Sequence, residues 1–196
     1  EIAERFGAAG NESSFCVIAL GKLGSRELNY SSDIDLVFLY SDEGQTTGGT
    51  RDGVTNREYF VKLAEYTIKL IGMHSVEGTA YPDTVRYYKS DARAWERQVM
   101  IRSRCSAGDA GLFKRLHTEI ESLVFSQEET VENALANARA SKDKIDQTVR
   151  DGGFNVKLGR GGIREIEFIA QALQLAYGGR DKWLREGHTL ISLARL

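Results

Sequence analysis

The sequence predicts an α+β protein, with a small sheet and packed helices over residues 1–89 followed by a helical bundle over residues 90–196. Three observations carry that reading. Two short apolar runs, at 15–20 and 34–39, have strand length and are bracketed by polar or glycine-rich turns. Apolar residues recur at helical spacing from Phe60 to Ile71. Beyond Ser90 helical periodicity dominates.

Phe15-Cys16-Val17-Ile18-Ala19-Leu20 reads as a buried strand, and Gly21 and Gly24 after it let the backbone turn tightly with N–H groups aimed at an anion. Ile34, Leu36, Val37, Phe38 and Leu39 read as a second strand. Side chains on a strand alternate faces, so Asp33 and Asp35 project to one side. Like charges side by side on an apolar strand repel and lose hydration unless a cation compensates them. This Asp-x-Asp therefore predicts a divalent metal site rather than a loop cap. A polar loop rich in Gly and Thr spans 42–53. Thr55-Asn56-Arg57-Glu58 then has the form of a capping box, and Phe60, Leu63, Ala64, Thr67, Leu70 and Ile71 follow at helical spacing. Further helices are predicted at 91–104, with Trp95 and Val99 inward, and at 111–125, 130–150 and 162–177, the last closed by Gly178-Gly179. Both ends fall inside helical patterns, so the sequence reads as a piece of a longer chain.

A second constellation lies where an extended run, Asn155-Val156-Lys157-Leu158, meets Gly159-Arg160-Gly161-Gly162 and a helix. Glycines before a helix N-terminus, flanked by Lys157, Arg160 and Arg164, suit an anion through dipole and side-chain charge together. A tight turn that only docks the helix fits the same residues. Glu167 borders the apolar stripe Ile163, Ile166, Ala170 and Leu173, so it reads as a partly buried carboxylate needing a basic partner, Arg97 or Lys157. Trp95 reads as a core anchor. Arg97 and Arg102 fit either a phosphate site or a solvated helix face.

Composition excludes several functions. At 196 residues, 41% hydrophobic, with a net charge of −2 and a pI near 6.0, the chain is globular and has no global basic field for bulk nucleic-acid binding. No apolar run nears the roughly 20 residues of a membrane span, and the first residues lack a signal-peptide pattern, which predicts a cytoplasmic protein. Cys16 and Cys105 are too few for a disulfide framework, and His74, His117 and His188 are scattered, against a zinc site or a Ser/His/Asp triad.

Three motifs together carry a resemblance. Gly21-Lys22-Leu23-Gly24 with Glu27-Leu28-Asn29-Tyr30-Ser31-Ser32-Asp33-Ile34-Asp35-Leu36, then Trp95-Glu96-Arg97, then Lys157-Leu158-Gly159-Arg160-Gly161-Gly162-Ile163-Arg164-Glu165-Ile166-Glu167-Phe168 resemble the bifunctional glutamine synthetase adenylyltransferase/adenylyl-removing enzymes. That family belongs to the polymerase β-like nucleotidyltransferases and carries two similar catalytic halves of opposed function. The first and third motifs are closer to the amino-terminal, adenylyl-removing half. The resemblance implies that Asp33 and Asp35 bind Mg²⁺ and are catalytic, and that Gly21, Lys22, Ser32, Lys157 and Arg164 line a nucleotide and phosphate pocket. It implies glutamine synthetase as protein substrate, inorganic phosphate and nucleotide as small ligands, and the PII signal protein as regulator. The adenylylating direction with ATP, and an inactive regulatory module of the same fold, are the alternatives.

One departure stands out. The family usually carries an Asp-x-Arg-Leu-Arg-Pro strand whose Asp is a third metal carboxylate, then a glycine-containing loop. Here Gly78-Thr79-Ala80-Tyr81-Pro82 runs straight into Asp83-Thr84-Val85-Arg86, and Asp83 aligns with residues beyond that loop. A strand and loop are therefore expected to be missing between 82 and 83, and the single proline fits the loss of a Pro-containing stretch.

Overall fold

The computed structural model describes residues 2–10, 13–29, 32–50, 53–71, 78–148 and 155–196. Its four described strands are β1 (Phe15–Leu20), β2 (Asp35–Tyr40), β3 (Gly78–Ala80) and β4 (Arg104–Gly108), in spatial order β3-β2-β1-β4. β1 pairs antiparallel with β2, Phe15 facing Tyr40 and Leu20 facing Asp35, and antiparallel with β4; β3 joins β2 in parallel. The helices are α1 (Ile2–Phe6), α2 (Gly21–Gly24), α3 (Asn56–Ile71), α4 (Tyr81–Ser90), α5 (Ala94–Val99), α6 (Ala110–Val124), α7 (Val131–Thr148), α8 (Ile163–Gly178) and α9 (Thr189–Arg195). The fold is α+β, as the sequence predicts.

The sheet is covered on both faces, which is why β1 reads as a nearly continuous apolar run. Cys16 and Ile18 point with Leu39 into the main core, built with Met100, Leu112, Leu116, Ile120 and Ala172. Val17 and Phe38 point the other way, onto Ala64 and Ile68 of α3. Burial pushes the Cys16 thiol up to about 12, so it is an inert core group.

Local chemistry sets the helix starts. Thr55 and Glu58 form the expected capping box, the Glu58 carboxylate accepting from the Thr55 N–H at 2.9 Å and the Thr55 hydroxyl from the Glu58 N–H at 3.1 Å. Asp109 caps α6 by accepting from the N–H groups of Gly111 and Leu112. Gly24 is dictated by close approach, since a Cβ there would lie 1.7 Å from the Arg102 carbonyl oxygen. This fixes α2 against the 3₁₀ turn Met100–Arg102.

Several expectations need correction. The stretch 91–104 is not one helix: α5 ends at Val99, a 3₁₀ turn follows, and Arg104 begins strand β4. Trp95 is 48% exposed and anchors no core, because α5 buries Gln98 while Met100 and Ile101 of the next turn fill the interior. On α3, Leu70 is 84% exposed and Ile71 is also exposed; Phe60, Ala64 and Ile68 form the inward stripe. Between 42 and 50 the chain is pinned at Thr46, whose hydroxyl donates to the Phe6 carbonyl at 2.6 Å, and by bridges Ala8–Thr47 and Gln45–Thr55. The junction at 82–83 lies within α4, which leaves β3 directly with Pro82 in its first turn. Among the described residues no helix is long and apolar enough to cross a membrane.

Candidate functional site

A cavity of about 260 Å³ opens where β1 ends, β2 begins and α8 crosses beside them. Gly21, Lys22, Ser32, Asp33, Asp35, Lys157 and Arg164 all line it, together with Val99, Arg102, Glu167, Phe168 and Gln171.

Antiparallel register explains the acidic wall. Leu20 is paired with Asp35, so Gly21, the next residue, lies beside the Asp35 carboxylate; a Cβ on Gly21 would sit 3.5 Å from its Oδ2. The φ of +55° at Gly21 is the left-handed region that favours glycine, and it turns the chain from strand into α2. Asp33 precedes β2 rather than lying on it, yet both carboxylates face the cavity. Both residues are exposed, and among the described residues neither side chain has a hydrogen bond or ion pair. The loop entering β2 is held by the Ser32 hydroxyl, which donates to Asn29 Oδ1 at 2.5 Å.

The basic wall is differently made. Residues 155–158 form a turn rather than an extended run, because the Asn155 side chain accepts from the N–H groups of Lys157 and Leu158 at 3.0 and 2.9 Å. The N–H groups of Ile163 and Arg164, at the start of α8, donate to the carbonyls of Val156 and Lys157 at 2.9 and 3.0 Å. Those of Glu165 and Ile166 donate to the Gly162 carbonyl. The helix N-terminus therefore has its donors occupied, and the cationic groups that reach the cavity from this side are the side chains of Lys157 and Arg164; Arg160 does not line it. Glu165 braces the turn by accepting from the Gly161 N–H at 2.8 Å and pairing with Lys142 at 3.2 Å. These contacts hold its carboxyl below the ordinary range, the Gly161 bond contributing most.

Glu167 finds its cation in Arg102, at 3.2 Å, and not in Arg97 or Lys157. The two side chains are 7% and 15% exposed. Arg102 also donates to the Thr189 hydroxyl, which donates to Glu27 at 3.0 Å while the Thr189 N–H donates to the same carboxylate at 3.1 Å. Burial opposes the Glu27 charge, but hydrogen bonds from Ser25 and Thr189, with Arg102 nearby, bring its carboxyl below the usual value. The network ties the cavity wall to α9. Sequence spacing left Arg102 undecided and gave no role to Gln171 or Phe168; the i, i+3, i+4, i+7 series Arg164, Glu167, Phe168, Gln171 is the signal that one face of α8 would line a pocket.

Among the described residues no group of three or more His, Cys, Asp or Glu side chains comes together as a metal site. Asp83 is exposed, pairs with Arg86 and does not line the cavity.

A mixed sheet that sets two open carboxylates opposite cationic side chains has the form of a nucleotidyltransferase domain. Residues 1–86 match the family described as glutamate-ammonia ligase adenylyltransferase, and residues 129–196 match GlnD PII-uridylyltransferase. Bifunctional glutamine synthetase adenylyltransferase/adenylyl-removing enzymes are similar over nearly the whole chain: that of Nitrosococcus oceani is 38% identical over 91% of this chain and 20% of its own length, that of Hahella chejuensis 35% over 98% and 22%, and that of Pseudomonas aeruginosa 36% over 98% and 22%. The chain belongs to this glutamine synthetase adenylyltransferase family, and it spans about a fifth of the length of the curated relatives it matches.

Proposed function

We propose that the cavity is an adenylyl-transfer site and that the chain acts in the adenylyl-removing direction, as the amino-terminal half of its relatives would. Inorganic phosphate attacks the adenylyl phosphorus, the bond to the tyrosine oxygen of glutamine synthetase breaks, and ADP and unmodified tyrosine result. The observation that carries this reading is the convergence of seven predicted residues, from three separated stretches of sequence, on one cavity.

The donor set fits Mg²⁺, which is commonly held by one or two carboxylates with substrate phosphates completing its shell. Asp33 and Asp35 would hold it, and when bound it neutralises phosphate charge during in-line displacement. Gly21, Lys22 and Ser32 line the phosphate pocket beside these carboxylates. Lys157 and Arg164, with their turn held by backbone bonds, orient the attacking phosphate from the opposite wall. No covalent intermediate with this chain is needed. The tyrosine belongs to the partner, so the cavity must open toward a glutamine synthetase docking surface, and the PII signal protein is the regulator we infer. A cytoplasmic location goes with this reading.

We divide the chain at 89/90 into a nucleotidyltransferase core and a helical bundle, although the core borrows β4 from beyond that point. A strand and loop are missing between 82 and 83 on this reading. In support, the alignment to the Shewanella frigidimarina relative extends over 227 residues against the 196 of this chain. Among the described residues no third carboxylate joins Asp33 and Asp35 in a metal-binding group, Glu167 being paired with Arg102, and this favours one other reading, a nucleotide-binding module without turnover. The test is ADP release from adenylylated glutamine synthetase by the full-length protein with Mg²⁺ and phosphate, beside incorporation of label from ATP. Phosphate-dependent ADP release is expected; label incorporation without it would reverse the direction, and neither would leave the silent module.

A further inference from the structure

The cavity has a polarity that the transfer chemistry leaves unused. Along α8, Arg164 stands near the N-terminus and Gln171 two turns on, about 10 Å away along the axis. The near end carries Arg164 and Lys157, whereas at the far end Phe168 and Val99 bring apolar surface beside Gln171. A nucleotide laid along this helix would have its phosphates at the cationic end and its base at the other.

The far end carries one prepared polar group. Gln171 is 8% exposed and Gln98 6%, and Gln98 Nε2 donates to Gln171 Oε1 at 2.7 Å. This bond occupies the Gln171 acceptor and fixes its amide, turning the N–H pair away from Gln98. Among the described residues those N–H groups donate to no acceptor, and they are not among the sealed side-chain polar atoms without a hydrogen bond. Gln171 lines the cavity, so this amide is within reach of a ligand there.

We propose that Gln171 reads the base of the bound nucleotide by donating to a ring-nitrogen lone pair of a purine, with Gln98 as the residue that positions it. The inference rests on the nucleotide reading of the cavity. A donor on a side chain only 8% exposed favours a ligand that supplies an acceptor, because the same group left unpaired beneath a ligand loses its hydration without replacement. Phe168 and Val99 supply the apolar flank that a purine face needs.

Calorimetric titration of the full-length protein with ADP and with inorganic pyrophosphate tests this. Gln171→Leu should weaken ADP about tenfold and leave pyrophosphate within about twofold, and Gln98→Leu should weaken ADP alone by about threefold. Equal ADP affinity in Gln171→Leu and wild type, or equal loss for both ligands, would overturn base reading while leaving the nucleotide site intact. Should Gln171→Leu fail to fold, wild type titrated with 1-, 3- and 7-deaza-ADP decides: loss of one ring nitrogen should weaken binding about tenfold, and three unchanged affinities would overturn the proposal. A folded wild type that binds neither ADP nor pyrophosphate would overturn the nucleotide reading, and base reading with it.

Discussion

Asp33 and Asp35 line the cavity at the entry to β2 with no partner among the described residues, whereas on the helical wall Arg102 and Glu167 are already tied to each other. Arg102 is held by Glu167 and Thr189, and Glu165 by Lys142 and the Gly161 N–H. The contrast separates two physical jobs. Open carboxylates set close together gain from a cation that compensates them, which is the role we propose for this pair. A satisfied ion-pair network positions its members and supports the fold, so its loss is felt first as instability.

The largest effect should come from the tied wall. Arg102→Ala would strand the buried Glu167 carboxylate and remove a donor to Thr189, lowering stability by about 3–5 kcal/mol in denaturant unfolding. The pair Arg102→Met with Glu167→Leu should recover much of that loss. A single variant as stable as wild type would mean that the network does not support α8 and α9.

On the open wall the order reverses. Asp33→Asn or Asp35→Asn should reduce ADP release at least about a hundredfold while the unfolding temperature holds or rises, since a repulsion is removed. A drop in stability matching that of Arg102→Ala would erase the distinction between the walls. Lys157→Ala and Arg164→Ala lie between these extremes. Each should raise the phosphate KM by about tenfold, with little change in unfolding and a weaker salt dependence of binding. An unchanged phosphate KM would remove these cations from the site.

Glu27 sharpens the comparison through pH. Its folded carboxyl titrates below the ordinary value of 4.5, so its stabilising contribution is complete above that value and fades as pH falls through the folded one. Glu27→Gln should lower stability modestly at pH 7 and flatten the acid-side decline; superimposable acid limbs would contradict the network. The smallest effect belongs to Trp95→Ala, within about 1 kcal/mol of wild type, because nearly half of that residue is already exposed.

What was legible in the sequence was local. The glycine turn and the Asp-x-Asp spacing give Gly21, Asp33 and Asp35 from a short window, although Asp33 precedes the strand that the alternation argument put it on, and charges around a glycine-rich helix start give Lys157 and Arg164. What was hidden is contact across the fold. Arg102 and Glu167 are 65 positions apart, and nothing in either neighbourhood names the other. Strand β4, Arg104-Cys105-Ser106-Ala107-Gly108, has no β-branched or aromatic residue and exists because β1 offers it an edge. Gln171 resembles any polar position on an amphipathic helix until Gln98 is seen to hold it. Trp95 misled because size suggests burial, and only the shortness of α5 shows that there is no interior for it to enter.

The central claim is that the two walls form one site. The most direct measurement is phosphate-dependent ADP release from adenylylated glutamine synthetase by full-length wild type, Asp35→Asn and Lys157→Ala under the same Mg²⁺ and phosphate. Wild type should release ADP, Asp35→Asn should lose nearly all release at every phosphate concentration, and Lys157→Ala should show a loss that high phosphate recovers. Full activity in Asp35→Asn, or a Lys157→Ala protein indifferent to phosphate concentration, would contradict the claim.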